Sequence, residues 1–334
     1  MRVQDNSRLV WLSVLRGLCI LLVVMRHVQL VDLQTGMNHE VCSLLSMPFD
    51  PVRMPLFIFT SGGLLYLSRI RKQWTVPRLY VDKAQRILLP FLFFVTVYYV
   101  MKWAMAGVVK TPVELSVIDF LESFILFEGH ASAPLWFLAT LSVLMLMYPL
   151  FCWLLRCHWT AAAFLLFSIA IYFFDFSTLS ANNYFYLLKL NKYLVFFYSG
   201  IVFFYYKLYR FTGSWPFFIA STVIYSTLYH FDVPVVSSLA GIMMLMSLCQ
   251  LVARHYEHLF GTFRDYIYQI YLLSFFFQGF VELVLWRTLF YNEHLFWLFY
   301  VLNVVAGLYG PVLVVRIVER CPLRIVRLCF GLNS

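Results

Sequence analysis

The sequence predicts an all-α polytopic membrane protein, on three observations. Of its 334 residues, 62% are hydrophobic and only 12% are charged, about half the ~25% charged share of a soluble domain. Apolar stretches long enough to cross a bilayer recur ten times along the chain. Lys and Arg gather in alternate connections between those stretches, while Asp and Glu gather in the others.

Each element follows in order. The first apolar run, 9–31, is entered from "MRVQDNSRLVW", with Arg2 and Arg8 ahead of it. No small-residue cleavage site follows, so this helix is expected to be retained rather than removed as a signal peptide. Asp32, Glu40 and Asp50 lead to the second run, 54–68. Arg69, Arg71, Lys72, Arg78, Lys83 and Arg86 fill the connection to the third, 87–106. Glu114, Asp119, Glu122 and Glu128 precede the fourth, 134–155, and Arg156 separates it from the fifth, 159–175. The sixth, 193–206, is followed by Lys207 and Arg210, the seventh, 215–231, by Asp232, and the eighth, 234–252, by Arg254 and Arg264. The ninth, 266–286, passes through Glu293 to the tenth, 296–317. Arg316 at the end of that run, then Arg320, Arg324 and Arg327 in a short basic tail, 318–334, follow on the same side. Seventeen of the 25 Lys and Arg thus share one side, and the positive-inside rule places both termini in the cytoplasm. Runs 54–68 and 193–206 are short for an upright helix, so nine to eleven spans fit as well as ten.

These elements are expected to form a single transmembrane domain over 1–334, with no internal repeat. The polar intervals are too short to hold a soluble catalytic domain, so chemistry must take place within or between helices. The net charge of +9 is a topology signal. Its bases are spread over several short loops, which argues against nucleic acid as a partner. The seven cysteines are odd in number, and Cys19, Cys152 and Cys249 lie in apolar runs. Neither a disulfide framework nor a zinc site is expected.

The first run contains the residues most costly to place in lipid. An ionisable side chain at bilayer depth marks a functional site by default. Arg16 and His27 lie eleven residues apart, three helical turns plus about 20°, so they share one face and are separated by roughly 16 Å. Arg26 points about 100° away from His27 and reads as an interfacial anchor. Snorkelling of Arg16 and a structural hydrogen bond for His27 are the alternative readings.

At this point the sequence resembles the acyltransferase-3 family of integral membrane acyltransferases. "WLSVLRGLCILLVVMRH" is similar to the family's first helix, in which a basic residue, ten residues and a His recur; Arg16 and His27 fit. "RMPLFIFTSGGLLY" resembles its PLFF–SG stretch at Pro55, Leu56, Phe57, Ser61 and Gly62. "KAQRILLPF" resembles its R-x-x-x-P stretch at Arg86 and Pro90, "APLWFLATL" its W-F-L segment at Trp136, and "FFYSG" its F-x-x-G at Gly200. The order and spacing agree from about residue 9 to 318. Departures are Ser13 in place of a frequent Asp, and "IYQIYLLS", where Ile267 and Ser274 replace a Ser and a His.

The resemblance implies transfer of an acyl group, most often acetyl, from acyl-CoA as donor substrate to a hydroxyl of a glycan or lipid-linked sugar. No bound cofactor or metal is implied. His27 would be the general base or a transient acyl carrier, since neutral imidazole is the usual base near pH 7, and Arg16 a donor-side cation. Arg69, Lys83 and Arg86 would dock the coenzyme A phosphates, although topology and lipid headgroups explain the same bases. Ser61, beside Gly62 and Gly63, reads first as close helix packing. Trp136 reads equally as an interfacial anchor, and both are candidates for a substrate channel. His130 is expected to be a loop residue, His255 and His258 a weak surface pattern, and Asp175 and Glu282 helix-end residues. The expected location is a bacterial cytoplasmic membrane. The competing reading is a transporter or flippase for an anionic or lipid-linked substrate, with Arg16 as counter-ion.

Overall fold

The computed structural model describes residues 3–33, 37–105, 116–180, 182–231 and 233–332, with side chains from Val10 onward. Arg2, Glu114 and Asp232, and the side chain of Arg8, lie outside the described residues. Helices follow in the order α1 (Val3–Arg26), α2 (Glu40–Ser46), α3 (Asp50–Leu65), α4 (Val76–Lys83), α5 (Leu89–Ala104), α6 (Val117–Glu122), α7 (Trp136–Leu146) and α8 (Tyr148–Leu154). Then come α9 (His158–Tyr172), α10 (Leu190–Tyr205), α11 (Trp215–His230), α12 (Pro234–Val252), α13 (Ile267–Phe280), α14 (Phe296–Glu319) and α15 (Arg324–Cys329). Among the described residues there is no β-strand, only one isolated antiparallel bridge between Val31 and Asn38.

Within the described residues the apolar runs are mainly helical, the first of them only as far as Arg26. Among the described residues, six helical stretches are long and apolar enough to cross a membrane, or seven if α7 and α8, bent by 50°, act as one. α9 is apolar but shorter. The two runs read as short prove to be parts of longer stretches, Glu40–Ile70 and Tyr184–Tyr205. In the first of these Pro48 and Pro51 fall at helix starts, where a missing N–H costs nothing, so the helix extends past them. Large exposed apolar side chains line single helix faces, such as Leu298, Val301, Leu302, Val305, Leu313 and Ile317 on α14. Such a face is one that a bilayer covers.

The chain forms two compact units, Met1–Phe57 with Lys207–Arg320, and Ile58–Tyr206 with Cys321–Ser334. In the first, α1 is enclosed: Trp11, Leu12, Val14, Leu15, Cys19 and Ile20 are buried on several sides of it. Pro55 inside α3 cannot donate to the carbonyl four residues back, Pro51. Ser238 of α12 supplies the missing donor at 2.6 Å.

In the second unit α3 continues into a wider π-turn, Tyr66–Ile70, and crosses α10 with no side chain between the backbones. A Cβ at Gly62 would lie 2.0 Å from the Phe197 carbonyl oxygen, and one at Gly200 would lie 2.1 Å from that of Phe59. Small residues allow helices to meet this closely in lipid. α4 and α5 are joined by a second π-turn, Ala84–Leu88. Its place is explained by Pro90, whose ring clashes with the carbonyl of Arg86, four residues back, and forces the helix to widen. The spacing of Arg86 and Pro90 is thus a backbone device as well as a motif.

Candidate functional site

In the first unit, α1 carries Arg16 and His27 as the helical repeat requires, with His27 in the turn just beyond Arg26. Arg16 is half-buried, and its guanidinium makes no ion pair with, and donates no hydrogen bond to, the described residues. Asp265 acts on it only through space. Five N–H donors on a fixed fork are therefore left for an anion. The His27 ring is exposed at the end of a buried helix, with no hydrogen bond to the described residues. The structural hydrogen bond of the alternative reading is not seen among the described residues.

Its backbone, in contrast, is held from several directions. The Val24 carbonyl accepts both the His27 N–H at 3.1 Å and the buried Gln278 Nε2 at 2.9 Å. Gln278 also donates to Asn303 Oδ1 at 2.9 Å, and Asn303 Nδ2 donates back to the Gln278 carbonyl at 3.2 Å. After His27 the chain turns into a hairpin in which Leu30 N donates to Asn38 Oδ1 at 2.8 Å and His39 N to the Leu30 carbonyl at 2.9 Å. Trp286 Nε1 donates to the Val31 carbonyl at 2.8 Å, and the Tyr291 hydroxyl to Asp32 at 2.9 Å. A ring left free on a backbone held this firmly suits a group that must meet a substrate in one geometry.

Arg26 does anchor the helix end, but through Asp50 rather than lipid alone. Arg26 Nε and Arg53 Nη1 meet the same Asp50 oxygen at 3.2 and 2.8 Å. Two guanidiniums against one carboxylate leave an excess positive charge, and both cations act on His27. Glu282 is corrected from a helix-end residue to a buried one. It lies in the π-helical stretch Val281–Leu289, paired with Arg287 at 2.5 Å.

In the second unit, Arg69, Lys83 and Arg86 are brought together by a residue that the sequence reading passed over, Asp82. Its carboxylate takes Arg69 Nη2 at 3.1 Å and Arg86 Nε at 2.9 Å, with Lys83 Nζ at 3.8 Å. Arg69 and Arg78 also sit over the Trp74 ring, 3.8 and 4.2 Å from its centre. The Tyr148 hydroxyl donates to the Trp74 carbonyl at 2.7 Å. The 69–86 connection is therefore a folded platform whose cations outnumber its acid, not a loose basic loop. Ser61 directly precedes Gly62, which lies at the α3–α10 crossing.

Trp136 opens α7 with Tyr186 and Tyr193 at 5.0 and 5.1 Å between ring centres. Phe185 and Tyr186 both hold left-handed backbone angles, which bulky residues rarely adopt outside constrained sites. His130 Nδ1 lies 3.1 Å from Asp119, and these two with Glu122 place ligand-type atoms within 4.8 Å of one another. Lys102 reaches the His130 carbonyl at 3.4 Å. His258 is a surface residue beside Glu257 at 3.3 Å, as its pattern suggested. Asp175, between α9 and α10, accepts the Ser177 N–H at 3.0 Å, which holds its carboxyl below the usual range.

Comparison with curated proteins finds no match, and comparison with solved structures finds none either. Residues 9–316, nearly the whole chain, match the family described as the acyltransferase domain. That match spans the helix of Arg16 and His27 as well as the α3–α10 crossing, and the chain belongs to the acyltransferase-3 family.

Proposed function

We propose that this membrane acyltransferase moves an acyl group, most simply acetyl, from cytoplasmic acyl-CoA to a hydroxyl of a glycan or lipid-linked sugar. The observation that carries the reading is the His27 ring at the end of α1, without a hydrogen bond to the described residues, on the face that also bears Arg16, which makes no ion pair with them. His27 takes the hydroxyl proton as the oxygen attacks the thioester carbonyl, the C–S bond breaks, and the proton leaves with the thiolate as free coenzyme A. Transfer through an acyl group held briefly on His27 uses the same geometry. Arg16 offers N–H donors to the donor's negative charge. The Asp82 platform, with Arg86 its most exposed cation, receives phosphate. The alternating charge pattern supports ten spans with both termini in the cytoplasm, as in a bacterial inner membrane.

The test is release of free coenzyme A by purified protein given acyl-CoA and candidate acceptors. His27→Gln, which hydrogen-bonds but takes no proton, should lower kcat by about 10²–10⁴-fold with donor binding preserved. Turnover near the parent rate in that variant would overturn the assignment of His27.

A further inference from the structure

A cavity of about 650 Å³ opens in the first unit beside Trp11, Tyr209, Arg210, Gln250 and Arg254. Its wall is built rather than incidental. The segment 207–214 begins at Lys207 in a left-handed backbone conformation and is latched to α12 by the buried Gln250. Gln250 Nε2 donates to the Tyr209 carbonyl at 3.1 Å and its Oε1 accepts from Thr212 at 3.0 Å. Arg254 donates to the Gly213 carbonyl. A Cβ at Gly213 would lie 2.8 Å from Gln250 Oε1 and 3.2 Å from Arg254 Nη2, so the segment lies close against the ends of both side chains.

The cavity is not on the face that carries the proposed chemistry. Trp11 stands roughly 140° from Arg16 and roughly 160° from His27 around α1. Its charged lining is two guanidiniums against Glu257. Arg210 is exposed, and its guanidinium makes no ion pair or hydrogen bond to the described residues. That lining suits a phosphate.

The aromatic residues decide which kind of phosphate ligand. Trp11 is only 7% exposed and packs against Tyr209 at 6.1 Å, so it offers a wall and no open face on which a base could stack. Outside the cavity, on the same segment and the start of α11, Phe211 is 73% and Trp215 61% exposed. Apolar aromatics beside cations are the signature of the headgroup level of a bilayer. We infer that this cavity binds the headgroup phosphate of an anionic phospholipid, with Arg210 and Arg254 on the phosphate and the acyl chains along Phe211 and Trp215.

The experiment is native mass spectrometry of the purified chain titrated with short-chain phosphatidylglycerol or phosphatidylcholine. Phosphatidylglycerol should be retained at least fivefold better, and Arg210→Gln should remove about that factor. The Arg210 side chain bonds to none of the described residues, so its variant should unfold at the parent temperature. Raised salt should weaken retention in the parent and not in the variant. Equal retention of the two lipids, or an unchanged Arg210→Gln, would overturn the site. Coenzyme A and inorganic phosphate are added as competitors. Displacement of the lipid by either would overturn the headgroup assignment in favour of a soluble phosphate ligand. No acyl transfer is read, so a negative result leaves the acyltransferase reading intact, and failure of that reading leaves this one.

Discussion

Replacing Gly200 by Ala tests whether the motif glycines serve packing. The new methyl would sit 2.1 Å from the Phe59 carbonyl oxygen, 2.9 Å from its carbon and 3.1 Å from the Gly63 nitrogen. An ordinary contact begins at 3.4 Å, so α10 must retreat from α3 by 1.3 Å, the difference between those two distances. All three opposing atoms are backbone, and none can swing aside. Overpacking of a core usually costs about 1–3 kcal/mol, and a clash against backbone belongs at the upper end, roughly 2–3 kcal/mol. At about 2–4 °C per kcal/mol for a unit of this size, the midpoint of thermal unfolding in detergent should fall by roughly 5–10 °C. Gly279→Ala is the control. It lies in α13 with nothing within 4 Å of an added Cβ, and a helical Gly→Ala exchange there should be neutral or stabilising by up to about 1 kcal/mol. Equal midpoints for the two variants would refute the packing account of Gly200.

Gln278→Leu removes the bonds to the Val24 carbonyl and to Asn303. It should lower kcat for acyl transfer by about tenfold or more with little change in donor KM, because positioning acts on the reacting geometry; Gln278→Glu, keeping shape but offering no amide donor, should not restore it. Asp82→Asn leaves Arg69 without its carboxylate in a partly buried place, and removal of one partner of such a pair costs about 3 kcal/mol or more. Its loss should appear as faster proteolysis of the 69–86 connection and a raised donor KM, read by limited trypsin digestion and steady-state kinetics.

The sequence shows its helices because lipid demands long apolar runs, a signal that needs no partner to be seen. The Arg16–His27 pair was legible for the same reason, since one helix sets their spacing. Gly62 and Gly63 announced a close crossing, though not its partner. What stayed hidden depends on contacts remote in the chain. Gln278 meets a carbonyl 254 residues earlier, and Ser238 meets Pro51 across 187. Asp82 was overlooked because a single acid among six bases looks like a minor correction to a charge count. Only folding shows it to be the hub on which three of those bases converge. Glu282 was misjudged because its partner Arg287 is five residues on, a spacing that an ordinary α-helix does not favour and the π-helical stretch supplies.

The interleaved make-up of the two units has a consequence for synthesis. A ribosome delivers the chain in order, and units generally assemble as their residues emerge. Residues 1–57, with Arg16 and His27, belong with 207–320, so α1 must wait in the membrane through the production of some 150 intervening residues. During that wait Arg16, Arg26 and the His27 imidazole face lipid or transient neighbours without α12 to α14 around them. The second unit is likewise completed last of all, when residues 321–334 bring Phe330 to within 5.9 and 5.5 Å of the Phe93 and Phe94 rings. Pulse-labelled chains stalled before residue 207 should therefore hold α1 in a protease-sensitive state, and those released after 320 should protect it.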